Sequence, residues 1–533
     1  MSHDLLYLRR DIQIEPLVDR WYAWPHLIPP ATAARNLTHR HFQILDSYLA
    51  APAEHAAAAK NPQMIGGPFV AYEGREGEIR ELRERTARDR ASLVELSGAL
   101  EALDELLQTA PTGQSLTPLY ASVPAAIRGY VELWYDNRDH ASFRLLEPLL
   151  YRSHYYNRTG QSLLLSVTAG DDRPFVLSTP RLSLPGTVHL PWSFDDARLE
   201  SLYRLTQTPQ PWGDIVTDLG CSYEEAIVFR TFLTAEPPPR YVPYTGTGVR
   251  WRYFGHACIL IETRDLSILF DPALSYSYQS DIPRYTYADL PERIDYAIIT
   301  HAHMDHVLLE TMLQLRHKIG CVLVPRSGPG LLQDPSLRLI LEHIGFTNVE
   351  EVGELDSIEV PGGALTAIPF LGEHADLAVA SKLAYVLRLG REQLLFAADS
   401  CNVDPCMYRH VHAAVGNVGT LFLGMECVGA PMTWLYGPLM LRPVDRAANI
   451  SRRLSGSDFQ QGRALVDQFG CHSVYVYAMG QEPWLNHIMS LKYTEASAPI
   501  VESNRLIDYC RERALVAERL FGEKEILIDR LWC

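Results

Sequence analysis

Lysine is scarce in this chain: of 48 basic residues only 5 are lysine, and 64 acidic residues leave a formal charge of −16. That balance excludes a platform for bulk nucleic-acid or anionic-membrane binding, since both need a basic face. Long apolar runs are missing too; nothing approaches the roughly 18 consecutive apolar residues of a membrane span. The start, Met1-Ser2-His3-Asp4, lacks a basic stretch followed by an apolar one, so no secretory leader is expected. The nine cysteines are an odd number, scattered from Cys221 to Cys533 without a CxxC spacing. This pattern suits reduced thiols and a cytoplasmic location, not a disulfide framework. What is present is a globular composition, 47% hydrophobic and 21% charged, over 533 residues. Such a length predicts more than one core.

Consecutive prolines divide the chain. Pro237-Pro238-Pro239, then Pro243 and Thr245-Gly246-Thr247-Gly248, read as a stiff linker, because proline lacks a ladder donor and favours extended backbone. The expected division is a mixed α+β amino-terminal domain, 1–240, and a second domain, 241–533. In the first, Ile79, Leu82, Leu93, Leu96, Leu100, Leu103 and Leu107 recur at helical spacing and predict one amphipathic helix of roughly seven or eight turns. The stretch around Trp212-Gly213-Asp214 could pass for a helix-turn-helix, but no basic recognition face accompanies it. After the linker, short apolar strands alternate with helical patterns, which describes an α/β layered domain.

One segment carries chemistry. Thr300-His301-Ala302-His303-Met304-Asp305-His306 puts four potential metal ligands within six residues, directly after the apolar strand that ends at Ile299. His301 and His303, two apart in an extended turn, can grip one cation. Asp305 and His306, one turn on, can reach a second ion beside it. The bland alternative, a polar helix cap with solvated histidines, does not account for four candidate ligands at a strand end.

That segment resembles the metal-binding signature of the metallo-β-lactamase superfamily, and Gly255-His256-Ala257 and Asp271-Pro272 resemble its earlier motifs. The resemblance implies an αββα sandwich with a dinuclear site at the strand ends, and three further ligands, each following a strand. Glu373 in Gly372-Glu373-His374, Asp399 in Ala398-Asp399-Ser400, and His487 after the strand at 473–478 occupy those stations. His374 is the alternative to Glu373, and His472 the alternative to His487. His256 and Asp271 fit supporting roles better than ligation. His410 and His412, two apart in a probable helix, point apart and read as surface. Glu426, after the strand at 420–424, is a candidate for the cavity wall and reads poorly as a ligand. The superfamily's hydrolases usually place a histidine where Glu373 stands. With Glu373, the expected set is His301, His303 and Glu373 on one ion, Asp305, His306 and His487 on the other, and Asp399 bridging. Three carboxylates and no thiolate make a hard, anionic shell that suits iron better than zinc.

The amino-terminal segments Asp11-Ile12-Gln13-Ile14-Glu15-Pro16, Asp19-Arg20-Trp21-Tyr22-Ala23-Trp24-Pro25 and Leu27-Ile28-Pro29-Pro30-Ala31-Thr32 sharpen this, as does Gly372-Glu373-His374-Ala375-Asp376-Leu377. They resemble the chloramphenicol-pathway diiron β-hydroxylases along the whole chain. The resemblance implies a non-haem diiron monooxygenase that uses O2 and two electrons from an external donor, with Glu373 and Asp399 central to catalysis. Its substrate would be an aminoacyl thioester on a nonribosomal peptide synthetase carrier domain, hydroxylated at the β-carbon. It also implies a homodimer, with the amino-terminal domain pairing subunits and shaping access to the irons. Two rival readings are a dinuclear zinc hydrolase of the same fold (lactonase, thioesterase or phosphodiesterase) and a carrier-docking protein with a vestigial site.

Overall fold

The computed structural model describes residues 5–110 and 112–528; the Met1-Ser2-His3-Asp4 start and Cys533 lie outside them. Two seven-stranded sheets form the carboxy-terminal half. The first runs, edge to edge, Val349–Val352, Ile319–Pro325, Ile294–Ile298, Ser267–Phe270, Cys258–Glu262, Val249–Gly255 and Lys524–Ile528. The second runs Ser357–Val360, Gly363–Ile368, Ala384–Leu389, Glu392–Phe396, Thr420–Gly424, Ser473–Tyr477 and Val516–Arg519. Each sheet is part antiparallel and part parallel; the turns bearing residues 301–306 and Asp399 follow strands with a parallel neighbour, and the turn bearing Glu373 follows an antiparallel one.

These strands are buried on both faces, so they read as continuous apolar runs instead of alternating ones. Cys258–Glu262 and Thr420–Gly424 are buried at every position. The sheets meet through an aromatic stack: Phe270 lies on Phe396 at 3.8 Å and Phe396 on Phe422 at 4.9 Å, and Trp251 and Tyr475 complete the layer. Helices Pro405–Val415, Phe459–Phe469 and Ala498–Arg511 cover the second sheet through Val411, Leu465 and Leu506. Helices Leu309–Leu315 and Leu337–His343 cover the first, and there the amino-terminal part joins the same core through Ile14, Leu163 and Phe194. The result is the expected αββα sandwich.

The amino-terminal part is mixed. Its four-stranded sheet runs Trp21–Tyr22, Ile12–Val18, Gln161–Val167 and Val188–Leu190, and a smaller one centres on Leu5–Leu8. The single long helix expected over 79–107 is two helices, Glu76–Asp89 and Ala91–Thr109. Arg90 breaks it: its backbone leaves the helical region, and its buried guanidinium clamps Asp19 at 2.9 Å. The apolar period survives the break, which is why the pattern reads as continuous. No helix among the described residues is long and apolar enough to cross a membrane.

Glu147 illustrates the cost of burying a carboxyl without a cation. Among the described residues its Oε2 accepts only the Ser336 amide, at 3.2 Å, and burial pushes its pKa up to about 7. A carboxyl raised above its unfolded value adds stability below about pH 4.5 that is lost as pH climbs to about 7. Glu147→Gln is therefore expected to raise the melting temperature at pH 8 but not at pH 4.5. The ionisation penalty removed is on the order of 3 kcal/mol, and thermal scans at the two pH values read it.

Candidate metal centre

The loop between Ile294–Ile298 and the helix Leu309–Leu315 brings His301, His303, Asp305 and His306 to the carboxyl end of the first sheet. The turn after Gly363–Ile368 brings Glu373, and the turn after Glu392–Phe396 brings Asp399. His301, His303 and Glu373 offer ligand atoms within 4.8 Å of one another, as do His301, His306 and Asp399. His303 Nδ1 lies 2.5 Å from Glu373 Oε1, and His306 Nε2 lies 3.1 Å from Asp399 Oδ2 and 3.6 Å from Asp305 Oδ2.

The non-ligating nitrogens are tied down, which aims the others inward. His306 Nδ1 donates to Asp271 Oδ2 at 2.8 Å, and Asp271 also accepts the Thr300 amide and hydroxyl. His303 Nε2 meets the Tyr436 hydroxyl at 2.8 Å, and His301 Nδ1 meets Thr300 Oγ1 at 3.0 Å. His256 Nδ1 accepts the Gly480 amide at 3.2 Å. Its Nε2 therefore carries the proton and donates to Asp305 Oδ2 at 3.0 Å. With Nδ1 taken, His256 serves to orient Asp305, although its ring also lies within 4.8 Å of ligand atoms of Asp305 and His306.

Burial and mutual charge set the protonation of the cluster. Burial pushes the Glu373 carboxyl up to about 7 against the opposing pull of His303. Burial and the neighbouring imidazoles drive His301 well down. His306 is held well above the usual imidazole range: burial opposes its charge, but Asp305, Asp399 and Asp271 outweigh that. Three buried atoms make no hydrogen bond at all: His301 Nε2, Glu373 Oε2 and Asp399 Oδ1. A nitrogen lone pair and two carboxylate oxygens left bare in one buried cluster are what cation binding would satisfy. Six donors, three imidazole and three carboxylate, fit two hard, oxygen-preferring ions.

The backbone is strained around the cluster. Glu373 (φ 64°) and Ala398 (φ 48°), which precedes Asp399, both sit in the left-handed region without being glycine. Such residues cost about 1–3 kcal/mol each and persist where the surroundings over-determine them. Gly424 closes in from the next strand, where a β-carbon would overlap Asp399 Oδ1.

His487 is not brought to this cluster. After Ser473–Tyr477 the chain turns at Ala478, which lines the cavity where a strand-end ligand would stand. A further turn, Pro483–Leu485, carries His487 away. There it lies edge-on to Tyr22 at 5.6 Å and feels Arg173, Arg181 and the Trp484 backbone. His472 lies at the surface against Ser473. His374 is buried beside the cluster, its Nδ1 3.1 Å from Glu373 Oε2, and belongs to none of the metal-capable groups. Tyr436 carried no signal in the sequence beyond its place in an aromatic stretch, yet it holds His303.

The cluster opens into a cavity of about 770 Å³, lined on one side by His303, Asp305, Glu373, Asp399 and Glu426, and elsewhere by Met304, Leu435, Ile488 and Met489. Asp271→Asn, which weakens the grip on His306 Nδ1, is expected to lower metal affinity about 10- to 100-fold, read by chelator competition.

Residues 7–237 match the family described as a diiron non-heme beta-hydroxylase N-terminal domain, and residues 267–454 match a beta-lactamase superfamily domain. The chain is 41% identical over 522 residues to the 4-amino-L-phenylalanyl-[CmlP-peptidyl-carrier-protein] 3-hydroxylase of Streptomyces venezuelae, covering 96% of this chain and 98% of that protein. The crystal structure of CmlA, a diiron β-hydroxylase from Streptomyces venezuelae, superposes with a TM-score of 0.93 at 39% identity, covering 99% of this chain and 100% of that one. A CmlA variant with glutamate replaced by aspartate gives a TM-score of 0.91 at 39% identity, covering 98% and 100%.

Proposed function

Because this chain belongs to the diiron non-haem β-hydroxylase family, we propose that it hydroxylates the β-carbon of an aminoacyl thioester tethered to a nonribosomal peptide synthetase carrier domain. It is an enzyme that works with two iron ions and dioxygen. The balanced reaction converts C–H to C–OH while the second oxygen atom leaves as water, consuming two electrons and two protons. The electrons come from an external donor. Bound by the six donors, the irons supply the activation of O2 that no amino-acid side chain can provide.

The chain's own residues do the rest. His301, His303 and Glu373 would hold one ion and Asp305 and His306 the other, with Asp399 placed to serve either. Asp271, His256 and Tyr436 fix the orientation of His306, Asp305 and His303. The apolar lining from Met304, Leu435, Ile488 and Met489 excludes water and seats the substrate's side chain. A second cavity of about 980 Å³ shares Gly66, Gly67, Pro431 and Trp434 with the first. Together they suit a substrate delivered on a long flexible arm from a carrier docked outside.

The observation that carries the reading is Glu373 standing between His301 and His303, in a chain 41% identical to a carrier-protein 3-hydroxylase along nearly its full length. Residues 1–240 form the part that pairs subunits into a homodimer and shapes access, and 241–533 the metal-holding part. Gln63, Gly66 and Phe69 in the cavity wall support the access role. The eight free cysteines among the described residues suit a reducing cytoplasm. The test supplies iron-loaded protein, a chemical reductant and O2 to carriers loaded with different amino acids. One added oxygen atom at the β-carbon is expected by mass spectrometry. Release of the amino acid from the carrier with no oxygen added would point to the hydrolase instead.

A further inference from the structure

The cavity holds one more carboxylate than the metal cluster uses. Glu426 follows the strand Thr420–Gly424 and lines the same cavity as Asp399 and Glu373. Its Oε1 accepts the Gly429 amide at 3.3 Å. Among the described residues no cationic nitrogen stands at ion-pair distance from it. Arg453, the cation whose charge it feels, directs its Nε to the carbonyls of Val428 and Gly429, at 2.7 and 3.0 Å. Next to Glu426, the buried Tyr493 hydroxyl leans on that carboxyl as its one neighbouring acceptor, short of ideal hydrogen-bond geometry. Burial pushes the Glu426 carboxyl up to about 7. A half-buried carboxylate and a phenol oxygen beside it, both acceptors in a cavity wall, form a receptor for a cationic hydrogen-bond donor.

We propose that Glu426, with Tyr493 beside it, binds the α-ammonium group of the aminoacyl substrate. This deepens the hydroxylase reading and rests on it. If the β-carbon faces Glu373 and Asp399, the α-carbon is one bond further on. Its amine is then within reach of the wall next to Asp399, where Glu426 stands. An α-ammonium on a thioester is cationic near neutral pH and offers three donors, enough for Glu426 and Tyr493 together. An amine on an aromatic ring is neutral there and would leave the carboxylate uncompensated. The apolar remainder of the lining, Met304, Phe69, Trp434, Leu435, Ile488 and Met489, takes the side chain.

The test compares kcat/KM of the iron-loaded enzyme on carriers loaded with phenylalanyl, 4-aminophenylalanyl and 3-phenylpropanoyl groups, the last lacking the α-amine. The wild-type protein is expected to prefer phenylalanyl over 3-phenylpropanoyl by about 10- to 100-fold, the worth of a charged hydrogen bond. In Glu426→Gln that ratio should collapse to within about threefold, and Glu426→Asp should keep part of it. Iron content and melting temperature identify any variant that has failed to fold, and the wild-type ratio tests the proposal without a variant. Equal handling of the two carriers by the wild type, or an undiminished ratio in Glu426→Gln, overturns the assignment. A loss confined to the 4-aminophenylalanyl carrier overturns it in favour of the ring amine. If the wild type hydroxylates none of the three, the hydroxylase reading falls, and this assignment with it.

Discussion

Glu373→His is expected to lower hydroxylase activity by about 100-fold or more while leaving a folded protein. Removal of residues that merely orient ligands costs about 10- to 100-fold in metal affinity, and Glu373 is proposed as a ligand itself. The change swaps a carboxylate for an imidazole, softening the shell from three carboxylates to two and moving its preference toward zinc. Stability should move the other way. In the metal-free protein the Glu373 carboxyl is buried, is raised to about 7, and faces Asp399 and Asp305. A neutral ring there relieves a cost, so the metal-free variant should melt no lower than the metal-free parent. Iron per chain, turnover and melting temperature are read together; full turnover would refute the role given to this carboxylate.

The second large effect lies at the junction between the amino-terminal strands and the metal loop. Glu310, on the helix that follows His306, accepts the Tyr22 hydroxyl at 2.7 Å, the Tyr276 hydroxyl at 2.7 Å and Arg173 at 2.8 Å. Arg173 is shared with Glu15 at 2.7 Å, and Glu15 also takes Arg181 at 3.0 Å. All five side chains of the Glu15, Tyr22, Arg173, Arg181 and Glu310 network are essentially out of solvent. Glu310→Ala strands a guanidinium with half its counter-charge and leaves two phenols without acceptors. The expected cost is about 3–5 kcal/mol, seen as a lowered melting temperature and denaturant midpoint. Because the helix starts three residues after His306, iron retention should fall as well. Glu310→Gln, which keeps an acceptor but not the charge, should fall between. A loss below about 1 kcal/mol for the alanine variant would show that the junction does not hold the loop.

How much of this could be read in advance depended on whether the signal was local. The candidate ligands from His301 to His306 sit within one turn, so their chemistry is visible as a string. Glu373 and Asp399 were reachable because the strands before them are plain apolar runs and the superfamily resemblance places a ligand at each strand end. His487 failed on the same rule. The strand before it was read correctly, but the tight turn at Ala478–Gly480 is fixed by the Gly480 amide bonding His256, 224 residues away in sequence. The broken helix had the same kind of cause, since Arg90 is pulled out by Asp19 across 71 residues. The left-handed backbone at Glu373 and Ala398 left no trace, because neither is the glycine or asparagine that usually marks such a turn.

The most direct test is Mössbauer spectroscopy with metal analysis on protein purified from cells grown on enriched iron. The account predicts two irons per chain in one coupled pair, lost in parallel when His301 or Asp399 is replaced. Two zincs with no iron, or a single isolated iron indifferent to Asp399, would contradict it.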